Sequence, residues 1–214
     1  VKPLIYSADT KSKIQDYKID WERLVISGST LDRENGISYL EKIRKYSNNG
    51  GIPAGIVVKS FGLLDDDEFI EMLRNVHGLP MVQRKLVKTL FTETGIFPWL
   101  SEFETDKNIL KLRLSRARFS YLNSFNIEGE LSYYLYRYGM YNWFYNDHSE
   151  LDAVQITRNL LKFIYFDDPG NVVCFVSRSK WGKWFDPHSI NDYTVLLINI
   201  SSKTIWLFCF SHSD

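Results

Sequence analysis

Asp186 and His188 stand two residues apart in a long polar loop, and Asp167-Asp168 precede the strand-like run that leads into that loop. A carboxylate beside an imidazole is the pairing that general acid–base hydrolysis uses: the carboxylate orients the ring and the ring moves the proton. These residues define one reading of the chain, a hydrolase or nuclease with its site near Asp186 and His188. Cys174 would extend the grouping to a thiol triad with His188 as base and Asp186 behind it. Its setting opposes that role, because Val172-Val173-Cys174-Phe175-Val176 is an apolar strand pattern in which a thiol is a small buried hydrophobe. His148, Glu150 and Asp152 could join Asp186 and His188 around a metal, but their spacing matches no standard zinc arrangement. Gly28-Ser29-Thr30 follows an apolar run as a phosphate-binding turn does, yet lacks the lysine of a P-loop. No metal and no cofactor is therefore expected.

A second kind of chemistry, recognition, is written in the aromatic residues. Eight of the 13 residues from Tyr133 to Tyr145 are aromatic, six of them tyrosine. A tyrosine is apolar along its ring and polar at its tip, which suits either a core boundary or a surface that holds a partner. On a helix, Tyr133, Tyr134, Tyr138, Tyr141, Phe144 and Tyr145 share an arc of about 140°, with Arg137 inside it and Tyr136 and Trp143 on the other side. Aromatics on most sides describe a helix wedged against a sheet, with tyrosine hydroxyls reaching its rim. The loop from Arg178 to Asp192 carries Trp181 and Trp184 on either side of Gly182-Lys183, followed by Phe185. Tryptophans in a loop either fold back as a lid on the core or act as the anchors that dominate interfaces. The candidate binding residues are Tyr138, Tyr141, Trp143, Trp181, Trp184, Asp186 and His188.

Composition limits the partners. Lys+Arg is 26 and Asp+Glu is 26, a formal net charge of zero. Nucleic-acid binding draws most of its affinity from phosphate neutralisation, so a neutral chain is a poor candidate. Two local features keep a helix-turn-helix nucleic-acid binder as an alternative. Residues 65–94 form two helical patterns with Gln83, Arg84, Lys85 and Lys88 on the second, and Lys111, Arg113, Arg116 and Arg118 cluster within eight residues. One helix would scatter the latter over opposite faces. No run of 18 apolar residues predicts a membrane span, and no polybasic anchor is evident. No basic start followed by an apolar run opens the sequence, which predicts no secretory leader. Two cysteines, Cys174 and Cys209, are too few for a disulfide scaffold, so the expected home is the cytoplasm. The sequon Asn199-Ile200-Ser201 falls at a strand end and is read as chance.

The elements that must position these residues follow from periodicity. Leu24-Val25-Ile26 reads as a strand stopped by Ser27-Gly28-Ser29; Ile37, Leu40 and Ile43 follow a helical period that ends at Asn48-Asn49-Gly50-Gly51; residues 54–61 read as a second strand. Strand, helix, strand at this spacing permits a βαβ unit. Asp65-Asp66-Asp67-Glu68 opens a helix by capping and dipole compensation, His77-Gly78-Leu79-Pro80 breaks it, and a second helix runs from Met81 to Thr94. Residues 108–125 carry both a helical and an alternating pattern, and length favours helix. Ser149-Glu150-Leu151-Asp152 is a loose capping box before a helix with Val154, Leu160, Leu161 and Ile164 on its stripe. Asp167-Asp168-Pro169-Gly170 is a turn. Strands follow at 172–177, 193–200 and 204–210, the last two joined as a hairpin by Ser201-Ser202-Lys203.

That hairpin is apolar on both faces. Val195 and Leu197 oppose Leu196, Ile198 and Ile200; Trp206, Phe208 and Phe210 oppose Ile205, Leu207 and Cys209. Strands of this kind are interior strands with layers on either side. The fold class is therefore α+β: helices over the first two thirds packed on a small, mainly antiparallel C-terminal sheet, with contributions from N-terminal strands. At 214 residues the chain is one domain, 1–214, divisible into 1–62 of mixed strand and helix, 63–166 helical and 167–214 β-rich. Such a chain buries roughly 70% of its unfolded surface and needs no disulfide or metal to fold. The leading functional expectation is a soluble, non-catalytic module that binds another protein, of inhibitor or immunity type.

Overall fold

The computed structural model describes residues 25–29, 54–63, 67–75, 80–94, 96–101, 103–137, 147–165, 168–185 and 192–212. A six-stranded antiparallel sheet organises them. Its strands are β1 (Val25–Ser29), β2 (Ala54–Leu63), β3 (Ser120–Leu122), β4 (Val172–Ser177), β5 (Tyr193–Asn199) and β6 (Thr204–His212). The spatial order is β1-β2-β6-β5-β4-β3. The described helices are α1 (Asp67–Asn75), α2 (Pro80–Glu93), α3 (Lys107–Arg116), α4 (Ser124–Arg137) and α5 (Glu150–Tyr165).

The α+β class is as expected, and the two-faced hairpin explains the layering. Every residue from Tyr193 to Ile200 is buried. Leu196, Ile198, Ile205, Leu207 and Cys209 join one core with α1, α2 and α3. Val195, Leu197, Trp206, Phe208 and Phe210 join a second core with α4 and α5. The register Val195↔Phe208 and Leu197↔Trp206 puts like faces together. A period-2 alternation with apolar residues at both phases thus becomes one sheet between two helical layers. Lys203 closes the hairpin in the left-handed region, at φ 53°.

Three expectations are corrected. β1 pairs β2 antiparallel, Gly28 opposite Phe61 and Ser29 opposite Ser60, so these strands do not form a parallel βαβ unit. Ser27-Gly28-Ser29 continues β1 instead of ending it, because pairing with β2 overrides its local turn preference. The expected helix at 37–48 lies outside the described residues. Residues 108–125 resolve into both of their patterns: α3 ends at Arg116, and the alternating tail becomes β3, with Ser120 opposite Val176.

Helix ends follow local chemistry. Asp106 caps α3, its carboxylate accepting from the N–H groups of Asn108 (2.7 Å) and Ile109 (3.2 Å). The capping box before α5 forms reciprocally: Asp152 accepts from the Ser149 N–H at 2.8 Å, and Ser149 Oγ accepts from the Asp152 N–H at 3.2 Å. Pro80 occupies the first position of α2, where its missing N–H costs nothing. Asn199 is buried and donates to the Ile164 carbonyl at 2.9 Å, joining the end of α5 to the hairpin. That role removes the sequon from reach.

Candidate functional site

The two loop tryptophans divide by burial. Trp181 has 0% of its surface exposed, and its indole N–H donates to Thr194 Oγ1 at 2.9 Å. Its ring lies 4.8 Å from Phe103 and 5.2 Å from both Phe91 and Phe185. Trp184 is half-buried, edge-on to Phe103 at 5.4 Å and to Phe185 at 5.2 Å. Residues 178–185 therefore fold back as a lid, and Trp181 is a core residue. Asp186 and His188 lie outside the described residues, as do Tyr138, Tyr141 and Trp143.

Gly182 makes the lid possible. A Cβ placed there would meet Phe103 Cβ and the Phe103 carbonyl oxygen at 2.9 Å. The next residue, Lys183, donates its N–H to that same carbonyl at 2.7 Å. Only a residue without a Cβ lets the two backbones approach this closely. Gly182→Ala is expected to cost about 1–3 kcal/mol of stability, as overpacking against backbone does. Denaturant melts compared at equal m-value measure it; an unchanged midpoint would show that Phe103 yields freely.

The described part of the tyrosine-rich stretch ends α4. Tyr134 is buried, stacked on Tyr193 with centroids 4.1 Å apart and an interplanar angle of 6°, and lies 5.4 Å from Phe210. Tyr133 is exposed, and Arg137 sits over the Tyr136 ring at 5.7 Å. The wedge between helix and sheet is thus Tyr134. Cys174 is fully buried, and burial first, then the charge of Glu130, pushes its thiol well above the usual range. A thiol so placed is the small buried side chain that the strand pattern predicts. Asp168 is occupied in its own turn, accepting from Asn171 Nδ2.

An open cleft of about 440 Å³ lies where β3, β4 and β5 meet α4. Arg118 and Ser120 line it from the entry to β3, Arg178 and Ser179 from the exit of β4, Tyr193 from β5 and Glu130 from α4. The Tyr193 hydroxyl donates to Glu130 Oε2 at 3.1 Å, and the Arg178 guanidinium stands 5.8 Å from the Tyr193 ring centre. Burial, followed by the charge of Glu130 and the hydrogen bond to it, drives the Tyr193 hydroxyl far above its ordinary value. It is a fixed donor at any physiological pH. Arg118 and Arg178 are 60 positions apart in sequence, so spacing alone gave no sign of this cleft.

The cluster from Lys111 to Arg118 is split by the end of α3. Lys111 pairs with Glu93 at 2.6 Å and Arg113 with Glu104 at 3.4 Å, while Arg116 is exposed. Leu110 and Leu114 face the core. The opposite face carries Ile109, 43% exposed, and Leu112, 52% exposed, one turn apart, with Arg116 one turn further on. Trp99, in the short 3-10 turn Phe97–Leu100, is 50% exposed. Lys85 of the proposed recognition helix is exposed, but Leu86, Val87, Leu90 and Phe91 of that helix are core. Among the described residues no three His, Cys, Asp or Glu side chains gather as a metal site needs, and no helix is long and apolar enough to cross a membrane.

No known protein family, curated protein or solved structure matches the chain.

Proposed function

We propose that this chain is a non-catalytic recognition module that binds another protein through the outward face of α3. The observation that supports this reading is the pairing of Ile109 and Leu112 on the solvent side of a helix whose core side is already filled. Buried apolar anchors with an arginine beside them are what carries most interface energy. Lys107 and Lys111 pair with Glu93 and Arg113 pairs with Glu104, while the exposed Arg116 stands one turn beyond Leu112 on the outward face. The complementary partner is a folded protein with an apolar recess rimmed by carboxylates. An inhibitor or immunity-type role, in which the module occludes its partner, fits a contact of this kind.

The test begins with affinity capture from the native host, followed by titration of the purified partner. Ile109→Gln with Leu112→Gln should weaken that titration by roughly 100-fold, the scale of losing two interface anchors, while melting is barely altered. A partner held equally well by the variant, or capture that yields no stoichiometric partner, would end the proposal.

A further inference from the structure

We propose that the cleft between Arg118 and Arg178 binds a small oxyanion, a carboxylate or a phosphate, through both guanidinium groups. The inference is independent of protein recognition by α3 and goes beyond it. The antiparallel pairing of β3 with β4 ends at Ser120 opposite Val176, and just beyond it Arg118 and Arg178 line the same cleft. Like charges lining one cleft repel, so the protein alone gains nothing from this arrangement. An oxyanion between the two forks would turn that repulsion into charge-assisted hydrogen bonds.

The surroundings hold the backbone at both arginines in place. The Arg118 backbone N–H donates to Ser179 Oγ at 2.8 Å, and the Ser179 N–H donates to Ser177 Oγ at 3.0 Å. These bonds fix the chain on both sides of the gap. Arg178 is further steadied over Tyr193, whose ring is itself stacked on Tyr134. Among the described residues, neither guanidinium has a carboxylate within ion-pair distance. Glu130, the one carboxylate lining the cleft, already accepts from Tyr193. The cleft holds two cations and one committed anion, a surplus of one positive charge. Ser120 and Ser179 add hydroxyls at the same mouth. A volume of about 440 Å³ lies within the range of sites for small molecules, roughly 300–1,000 Å³.

Arginine side-chain NMR of the full chain tests this, with inorganic phosphate and succinate as separate probes and sodium chloride at matched ionic strength as the control. The expected result is a saturating shift of the Nε–H signals of both Arg118 and Arg178 with at least one probe. Arg118→Gln and Arg178→Gln should each weaken that binding by roughly tenfold or more. Both arginines are exposed, so the variants should fold as the parent does, which the unchanged dispersion of the remaining signals would verify. Stronger binding of succinate identifies a carboxylate ligand, and stronger binding of phosphate a phosphorylated one. Shifts that chloride reproduces, that fail to saturate with either probe, or that survive both substitutions would overturn the proposal.

Discussion

Deletion of residues 207–214 is expected to abolish cooperative folding. β6 is neither an edge nor an appendage: it lies between β2 and β5, paired with β2 from Gly62↔Thr204 to Ala54↔His212 and with β5 from Asn199↔Thr204 to Tyr193↔Phe210. Removing its last residues leaves most of β2 without a neighbour on either side and opens one edge of half of β5, whose other edge stays paired with β4. It also removes Leu207 and Cys209 from one core and Phe208 and Phe210 from the other. Each large apolar side chain contributes about 1.5–3 kcal/mol by burial, so three of them approach the ~5–15 kcal/mol that holds a domain together. Two unpaired, apolar strand edges would then invite association between chains. Circular dichroism and thermal melting of the truncated chain decide the matter. A soluble product with a cooperative transition near that of the parent would mean that the sheet closes without β6.

The layered plan was legible because burial on both faces leaves an unmistakable pattern. Val195 to Ile198 and Ile205 to Phe210 are apolar at every position, a pattern that an exposed strand does not carry. Helix ends were legible where a single side chain makes the cap, as at Ser149 and Asp152. What sequence hid was decided by partners far along the chain. Ser27-Gly28-Ser29 has every mark of a turn, yet β2 runs beside it and holds it extended. Ile109 and Leu112 count toward an apolar pattern just as Leu110 and Leu114 do; only the placement of α3 against α2 determines which pair faces water. The cleft was least visible of all, since β3 had to be recognised as a strand before its pairing with β4 could place Arg118 and Arg178 on one cleft.

The same distinction separates the two tryptophans, and Trp181→Ala should show it. Trp181 is among the largest fully buried side chains, enclosed by Phe91, Phe103 and Phe185. Truncating such a side chain costs about 3–5 kcal/mol, from lost burial and the cavity left behind. The Thr194 hydroxyl, itself buried, would also lose its indole donor. For a domain of this size the sum corresponds to a fall in Tm on the order of 10 °C. Trp181→Phe restores part of the volume but not the hydrogen bond and should fall between the two. Trp184→Ala removes a half-buried ring that rests on Phe103 and Phe185 from outside, and should lose less than half as much. Thermal melts of the three variants rank them. If Trp181→Ala melts with the parent, the lid does not depend on its tryptophan, and Gly182 and Lys183 alone hold it to Phe103. If the ranking holds, weakened partner binding in a Trp181 variant reports the loss of the fold, and the recognition surface must be sought through exposed residues such as Ile109 and Leu112, whose replacement leaves the core intact.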